Sequence, residues 1–255
     1  MQQSNRYIIL FSLSLTVILA LLLAGVSQGL GPLQKKAQDL DTKKQILGAI
    51  PSEKEGLGDM EDEQILARYA EVISSVVADA QGNLVDVNAK GAPMVAEEVN
   101  IEKNYKKPIE DRDFPVFKYS FNGEEAYILP VYGAGLWDAI WGFVAVNPDL
   151  KSVRGISFDH KGETPGLGAR ITSDDVQARY QGKSLYDDNG QYVAITMVKG
   201  EKTPEDRLGP NKVDGLAGAT LTANGVNDML LNYISYYQKY FDKHVRGGAM
   251  TLNNQ

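Results

Sequence analysis

The first part of the chain contains a long stretch without charge, since no charged residue occurs between Tyr7 and Gln34. Within it, Tyr7–Ser27 reads YIILFSLSLTVILALLLAGVS. At a rise of about 1.5 Å per residue, a helix of this length spans roughly 30 Å, the hydrocarbon thickness of a bilayer. The alternative of a cleaved signal peptide, with Gly25-Val26-Ser27 as the cleavage site, requires a shorter apolar core of about 7–15 residues. Because the run has no polar face, a buried core helix is less favoured. The sequence predicts a transmembrane anchor over residues 1–32.

The charges that flank the anchor do not settle its orientation. Arg6 and the terminal amine precede the span, whereas Lys35, Lys36, Lys43 and Lys44 follow it. A positive-inside count would therefore keep the rest of the chain in the cytoplasm, but this rule is weak for long translocated domains. The span itself contains no Asp, Glu, Lys, Arg or His. Since ion pathways through membranes need such groups or a lined cavity, this chain is not expected to conduct ions alone.

The composition excludes several classes of chemistry. A length of 255 residues allows one large domain or two small ones. The net charge of −7 argues against nucleic-acid binding, which needs a basic face. The chain has no cysteine, so disulfides, cysteine-ligated zinc, iron–sulfur clusters and thiol nucleophiles are excluded. With only His160 and His244 present, a multi-histidine metal site is not expected, and no metal ligand or catalytic residue is predicted.

Hydrophobic periodicity divides the rest of the chain. Residues 33–58 are predicted to be a stalk or linker, because residues 33–50 have helical spacing and a lysine-rich polar side. Residues 59–255 are assigned to one domain outside the membrane. It begins with a helix at 60–74, followed by a hairpin around the turn Ala80-Gln81-Gly82-Asn83.

The remaining pattern is typical of an α+β fold with a mainly antiparallel sheet, since strands outnumber helices and the helices lie near the ends. Residues 88–113 are polar and without a clear period, as in an insertion or a long loop. A helix is predicted over Asn224–Phe241 from its apolar stripe. The predicted strands are Val116–Phe121, Ala126–Val131, Trp141–Val146, Val153–Phe158 and Tyr192–Val198.

Three glycine-rich stretches are candidates for ligand binding: Tyr132–Trp137, Gly162–Gly168 and Asp214–Thr222. Each alone is equally consistent with a plain loop. The third leads into the predicted C-terminal helix, where free N–H groups and the positive helix end favour an anion such as phosphate. Thr220 and Thr222 present hydroxyls there, although Thr222 could also be an ordinary N-cap. Neither a P-loop lysine nor a Rossmann glycine fingerprint is present, which argues against nucleotide hydrolysis and dinucleotide binding.

The three stretches, read in order as YGAGLWDAIWGF, GETPGLG and GLAGATLT, resemble the signatures of the FMN-binding domain family. Together with one N-terminal span and this length, the chain is similar to the C subunits of Na⁺-translocating NADH:quinone reductases. The resemblance covers the anchor and most of 114–245, and is loose over 33–113. One position departs from the family's flavinylation motif, since Ala217 stands where Ser or Thr is usual.

The resemblance implies that FMN is attached through a phosphoester to Thr220 by a flavin transferase. Thr222 would donate a hydrogen bond to the phosphate or cap the helix, and Gly218 and Ala219 would lie against it. Because the family attaches FMN at the threonine of Gly-Ala-Thr, Thr220 is favoured over Thr222 as the attachment residue.

The other two motifs are expected to form the flavin pocket. Leu136 and Trp137 would pack against the isoalloxazine ring, whose flat apolar faces suit aromatic and aliphatic side chains. Glu163 and Thr164 would hydrogen-bond the ring edges. Asp214 is expected to act in a turn, Trp141 in the core, and His160 is given no redox role. The remaining residues are expected to allow close approach of the main chain: Gly166, Leu167 and Gly168.

The resemblance further implies a role in electron transfer. NADH would be oxidised on another member of a six-subunit complex, electrons would pass through this FMN, and multi-span partners would export Na⁺. The domain would lie on the periplasmic side of the inner membrane, in conflict with the lysine count. One alternative is the G subunit of an Rnf-type ferredoxin:NAD⁺ complex, which is usually shorter across the equivalent of 33–113. The other is a cofactor-free anchored binding or scaffold module.

Overall fold

The computed structural model describes residues 4–88 and 91–246. The chain divides into two compact units, Met1–Asp41 and Thr42–Gln255. The first unit contributes most of helix α1, Asn5–Gly48, which continues through Pro32 without a break. An 18-residue window of α1 has a mean hydropathy of 2.7, and none of that window is buried. Among the described residues, α1 is the one helix long and apolar enough to cross a membrane.

The second unit begins inside the segment that the sequence assigns to the stalk. Ile46, Leu47 and Ile50 are fully buried in this unit, at the end of α1 and the start of helix α2, Pro51–Leu57. Helix α3, Asp62–Val72, follows with a capping box formed by Glu61 and Gln64. The predicted helix at 60–74 is therefore confirmed, with its end two residues earlier because Ile73 already belongs to a strand.

A five-stranded antiparallel sheet forms the centre of the second unit. Its strands follow one another in the order of the sequence, β1 to β5, and are joined as a meander. The first half of β2 and the middle of β3 are buried on both faces, whereas the first part of β1 alternates between more and less exposed positions. The expected α+β fold with a mainly antiparallel sheet is confirmed. The strands are β1, Ile73–Ala78; β2, Phe114–Phe121; β3, Glu124–Ala134; β4, Ala139–Val146; and β5, Val153–His160.

The long C-terminal helix covers this sheet. Helix α6, Thr220–Tyr236, packs on β3 and is followed by helix α7, Gln238–Phe241. Tyr237 is fully buried between them and donates a hydrogen bond to the carbonyl of Pro130, at 3.0 Å. This helix was predicted over Asn224–Phe241. It begins four residues earlier, so the third glycine-rich stretch includes the first turn of the helix itself.

Two other segments differ from prediction. Residues 88–113 contain three short helical pieces: Ala96–Glu98, α4 at Ile101–Tyr105, and Ile109–Asp111. The strand predicted over Tyr192–Val198 is wrong for most of its length, because only Thr196–Met197 forms a strand, β6, which pairs in parallel with β7, Lys212–Val213. Tyr192 makes no more than an isolated bridge with Tyr186. Ala194 has a positive φ of 57°, which an extended strand does not tolerate. The segment is apolar because it is a loop buried in the core.

The hairpin predicted around the turn Ala80-Gln81-Gly82-Asn83 is only partly formed. Strand β1 leads into a turn closed by the hydrogen bond from Asp79 N to Asn83 O, at 2.9 Å. The returning chain makes only the isolated bridge between Ala78 and Leu84. The remaining helix of the second unit is α5, Asp174–Ala178, which packs on β5.

Candidate functional site

The first glycine motif forms the connection between β3 and β4. Gly135 N donates to Asp138 O at 2.8 Å, which closes a tight turn at the end of the two strands. The turn presents Leu136 and Trp137 outward, with 44% and 69% of their surfaces exposed. Adjacent exposed apolar side chains such as these contribute to a patch of the kind that binds a ligand or a partner.

The second motif follows β5 and contacts the first through the hydrogen bonds that Trp137 donates to Glu163 and Thr164. The ring Nδ1 of His160 accepts a hydrogen bond from Glu163 N at 3.2 Å, so His160 supports the loop. Thr164 O then accepts from both Leu167 N and Ala169 N, each at 3.1 Å. Gly166 adopts a φ of +75°, a conformation that favours glycine.

Hydrogen bonds of charged side chains hold the third motif in place. Asp214 accepts hydrogen bonds from Lys202 N at 2.7 Å and Thr203 N at 3.0 Å, consistent with the expected turn role. Partial burial would raise the pKa of Asp214, but the hydrogen bonds from Thr203 and Lys202 outweigh it and lower this pKa. The guanidinium of Arg179 donates to the carbonyls of Asp214 and Gly215, at 3.3 and 2.8 Å.

Helix α6 begins directly at Thr220. Its N-cap residue is Ala219, which offers no side-chain acceptor, and Gly218 before it has a φ of +75°. The first hydrogen bond between main-chain groups of the helix runs from Ala223 N to Ala219 O at 3.0 Å. The N–H groups of Thr220, Leu221 and Thr222 precede that bond and are those that a bound anion satisfies at a helix start.

Thr222 is not the N-cap, so that interpretation from the sequence is wrong. It is the third residue of α6 and is 1% exposed. Its hydroxyl donates to the Glu163 carboxylate at 2.5 Å. Thr220, in contrast, is partly exposed at the first position of the helix.

The buried side chain of Glu163 joins the three motifs. One carboxylate oxygen accepts from Trp137 N at 3.0 Å and the other from the Thr222 hydroxyl. Glu163 is 4% exposed, and each of its oxygens already accepts from one protein donor, so the predicted hydrogen bond to the edge of a flavin ring would have to use a remaining lone pair. Its neighbour Thr164 is more accessible and accepts from the indole Nε1 of Trp137 at 3.1 Å.

Glycine at two positions makes room for this carboxylate. A Cβ added at Gly135 would collide with one carboxylate oxygen of Glu163, and one added at Gly168 would collide with the other and with the Thr222 hydroxyl. Gly225, in the second turn of α6, likewise lies against the main chain of Ala134. The glycines thus permit close packing of the loops.

We expect Gly168→Ala to destabilise the second unit by about 1–3 kcal/mol, the usual cost of overpacking a filled site. The new methyl group would displace the Glu163 carboxylate from Thr222. Thermal unfolding of the full-length chain measures the effect. Gly162→Ala is the matched control in the same loop, because its nearest neighbour would be Asp138 Cβ at 3.6 Å. Equal melting temperatures for the two variants would contradict the packing described.

An exposed apolar rim surrounds the start of α6. It is built from all three motifs, and Leu167 also lies beside Gly218, where an added Cβ would approach its Cδ2 to 3.0 Å. Flat aromatic ligands are bound by such apolar surfaces next to a few polar groups. A helix start with free N–H groups beside an apolar rim fits FMN, which joins a phosphate to a flat ring. The rim consists of Leu136, Trp137, Leu167 and Leu221, which are 44%, 69%, 41% and 61% exposed.

A charged network behind the third motif was missed by the sequence analysis. Glu201 accepts two hydrogen bonds from Arg170, at 2.6 and 3.0 Å, and one from Arg179 at 3.3 Å. It also accepts from Ala217 N at 3.4 Å, which ties the network to the loop. The hydrogen bonds from Arg170 are the main reason that the pKa of Glu201 falls to about 2. Only the position of Arg170, two residues after Gly168, could have suggested this role.

Trp141 lies away from this site, but its expected place in the core is wrong, since the side chain is only partly buried. Its indole Nε1 instead donates to the side chain of Gln45 at 3.2 Å.

Known proteins resemble the chain over nearly its full length. A family model described as the FMN-binding domain matches residues 135–235, which include Leu136, Glu163 and Thr220. The C subunit of the Na⁺-translocating NADH-quinone reductase from Pseudomonas aeruginosa is 32% identical over 243 residues, covering 90% of this chain and 91% of the relative. The chain belongs to this family of C subunits.

Further relatives agree with this assignment. The C subunit from Haemophilus ducreyi is 34% identical and covers 84% of this chain and 83% of its own length. The crystal structure of the C subunit from Parabacteroides distasonis, at 30% identity, superposes with a TM-score of 0.69 and covers 83% of this chain and 96% of that one. NqrC from Shewanella oneidensis, at 24% identity and a TM-score of 0.66, supports the fold. The expected family membership is confirmed: the chain is a C subunit, a flavoprotein subunit with an FMN-binding domain.

Proposed function

We propose that this C-subunit protein carries FMN covalently on Thr220 and relays electrons within a Na⁺-translocating NADH:quinone reductase. The observation that carries the proposal is the position of Thr220, partly exposed as the first residue of α6 and flanked by the apolar rim. A phosphoester on its hydroxyl would place the phosphate at the N–H groups that open the helix. The positive end of the helix favours that charge.

Burial distinguishes the two candidate threonines. The hydroxyl of Thr222 is enclosed and already donates to Glu163, so its modification would break the contact that holds the second and third motifs together. The Thr220 hydroxyl makes no side-chain hydrogen bond among those described, and the residue is partly exposed, so a flavin transferase can reach it. These contacts favour Thr220 as the attachment residue.

The apolar rim suits the isoalloxazine ring. Trp137 is tied to the start of α6 through Glu163, and Leu167 is tied to it through its contact with Gly218. Exclusion of water by these side chains would favour a flat ring there, and Thr164 is a polar side chain available to its edge. FMN supplies the electron chemistry, which the chain's own side chains lack. The protein's contribution is to position the ring and tune its surroundings.

The long apolar helix supports a function at a membrane. Helix α1 is long and apolar enough to span a bilayer, and the span has no charged group with which to move Na⁺. We therefore assign Na⁺ export, NADH oxidation and quinone reduction to other members of a six-subunit complex. We place the FMN domain on the periplasmic side of the inner membrane, as implied by the family resemblance, against the count of flanking lysines.

In-gel fluorescence tests the covalent attachment. The full-length chain, produced together with a flavin transferase, should give a fluorescent band under ultraviolet light after SDS electrophoresis. Mass spectrometry of the peptide that contains Ala219–Thr222 should locate the added mass of FMN less one water on Thr220. The same chain produced without the transferase should stay dark. A correctly folded chain that remains dark with the transferase present would refute covalent attachment.

A further inference from the structure

A cavity separate from the three glycine-rich motifs lies along the middle of α6. Its volume is about 290 Å³, and it is enclosed by α6, by α4 with the segment after it, and by the end of β3. Its walls are rich in tyrosine, and the rings of Tyr105 and Tyr233 lie nearly parallel with centroids 6.2 Å apart. The lining residues that matter below are Tyr105, Arg112, Tyr132, Asp228, Tyr233 and Tyr236.

Arg112 is held in the wall with one donor group left over. Its Nε donates to Lys107 O at 2.9 Å and its Nη2 to Tyr105 O at 2.6 Å. The guanidinium also lies over the rings of Tyr105 and Tyr236, 4.9 and 5.8 Å from their centroids. Its Nη1 is buried and has no hydrogen-bond partner within the described residues.

Tyr233 presents a second donor that lacks an acceptor, although the side chain of Asn104 donates towards its hydroxyl oxygen. The residue is 1% exposed, and its hydroxyl has no acceptor in the part of the chain that the structure describes. Burial raises the pKa of Tyr233 to about 12, so the hydroxyl remains a donor at neutral pH. An unsatisfied buried hydroxyl costs about 1–3 kcal/mol. Both donors belong to residues that line this cavity, and a ligand bound there would supply the missing acceptor.

We propose that this cavity is a binding site for a small aromatic monocarboxylate, whose oxygens accept from Arg112 Nη1 and Tyr233 Oη. The tyrosine walls fit a planar ring, and the fixed guanidinium selects an anion. Asp228 in the same wall disfavours a doubly charged group such as a phosphate, because like charges repel. The proposal does not depend on covalent FMN, since Thr220 and Glu163 do not line this cavity.

Benzoate is the probe for this proposal, titrated into the detergent-solubilised full-length chain and followed by ligand-observed NMR. Thr220→Ala protein serves as the background, so that no covalent FMN contributes. We expect saturable binding with a Kd of about 1 mM or tighter, within the range of fragment-sized ligands. The neutral isostere benzamide should bind at least roughly tenfold more weakly, because it lacks the charge that Arg112 recognises.

Tyr233→Phe is the decisive variant, because it removes one oxygen and preserves the ring. It should weaken benzoate binding by about fivefold to tenfold, the usual effect of one lost hydrogen bond. Tyr180→Phe is the matched control, since Tyr180 also has a buried hydroxyl without a described partner but does not line the cavity. It should leave the Kd unchanged.

Three results would overturn the proposal. The first is an absence of saturable binding up to roughly 20 mM benzoate, far above the expected Kd. The second is equal affinity in Tyr233→Phe and the background protein. The third is binding to Thr220→Ala that disappears in the FMN-loaded wild-type chain, which would show that the flavin itself fills the cavity.

Discussion

Replacement of Thr220 by alanine is expected to abolish covalent FMN completely while the second unit stays folded. The variant removes the only side-chain oxygen at the first position of α6, and thus the atom to which the phosphate would be joined. Alanine is a good helix former and Thr220 is partly exposed, so the free energy of unfolding should change by less than about 0.5 kcal/mol. In-gel fluorescence measures the flavin, and circular dichroism during heating measures the fold.

Two conservative variants make this experiment specific. Thr220→Ser retains a hydroxyl at the helix start and should retain flavin, which separates loss of the nucleophile from loss of shape. Thr222→Ser retains the donor to Glu163 and should carry its flavin on Thr220, as seen by peptide mass. Retention of the FMN mass in Thr220→Ala would transfer the attachment to Thr222 and refute our assignment.

Glu163→Ala is expected to give the largest loss of stability in the site. It would leave the buried Thr222 hydroxyl without an acceptor and release Trp137 N, and would open a space among the three loops. A hydrogen bond to a charged group contributes about 1.5–3 kcal/mol, so we expect a loss of about 2–4 kcal/mol. This corresponds to a decrease in melting temperature of roughly 5–15 °C for a unit of this size. Flavin incorporation should fall with it.

A double-mutant cycle separates the contact from general damage. Glu163→Gln keeps the volume and one acceptor oxygen, and should cost about 1 kcal/mol. Thr222→Val removes the hydroxyl, and its effect should be largely absent in the Glu163→Ala background because the two residues share one hydrogen bond. Strictly additive losses would show that Glu163 does not act through Thr222.

The sequence predicts the elements that depend on local patterns. The anchor, the meander strands from Val116 to Phe158 and the C-terminal helix follow from hydrophobic runs and their periods, and the structure contains all of them. The apparent strand over Tyr192–Val198 fails because burial alone makes a loop apolar. Periodicity cannot distinguish a buried loop from a strand when the sheet partner is absent.

The sequence marks three glycine-rich loops, and the position before a helix points to both Thr220 and Thr222. The family resemblance, and not the residues alone, predicts that the loops form one flavin pocket with Leu136 and Trp137 and favours Thr220. The inward direction of Glu163 depends on which loops meet, and sequence spacing carries no information about that. The same holds for Arg170 and Glu201, which are 31 residues apart and pair only in the folded chain.

The contacts of Glu163 also restrict how related sequences can vary. Gly135 and Gly168 lie against its two carboxylate oxygens, so a side chain at either position requires the residue at 163 to move or to be replaced, together with Ile140 or Thr222. We therefore expect the residues at positions 135, 163 and 168 to covary, so that a change at one is accompanied by a change at another. A homologue with alanine at 135 or 168 should carry a compensating replacement at 163, and the remaining surface of the loops is free to diverge with its partners.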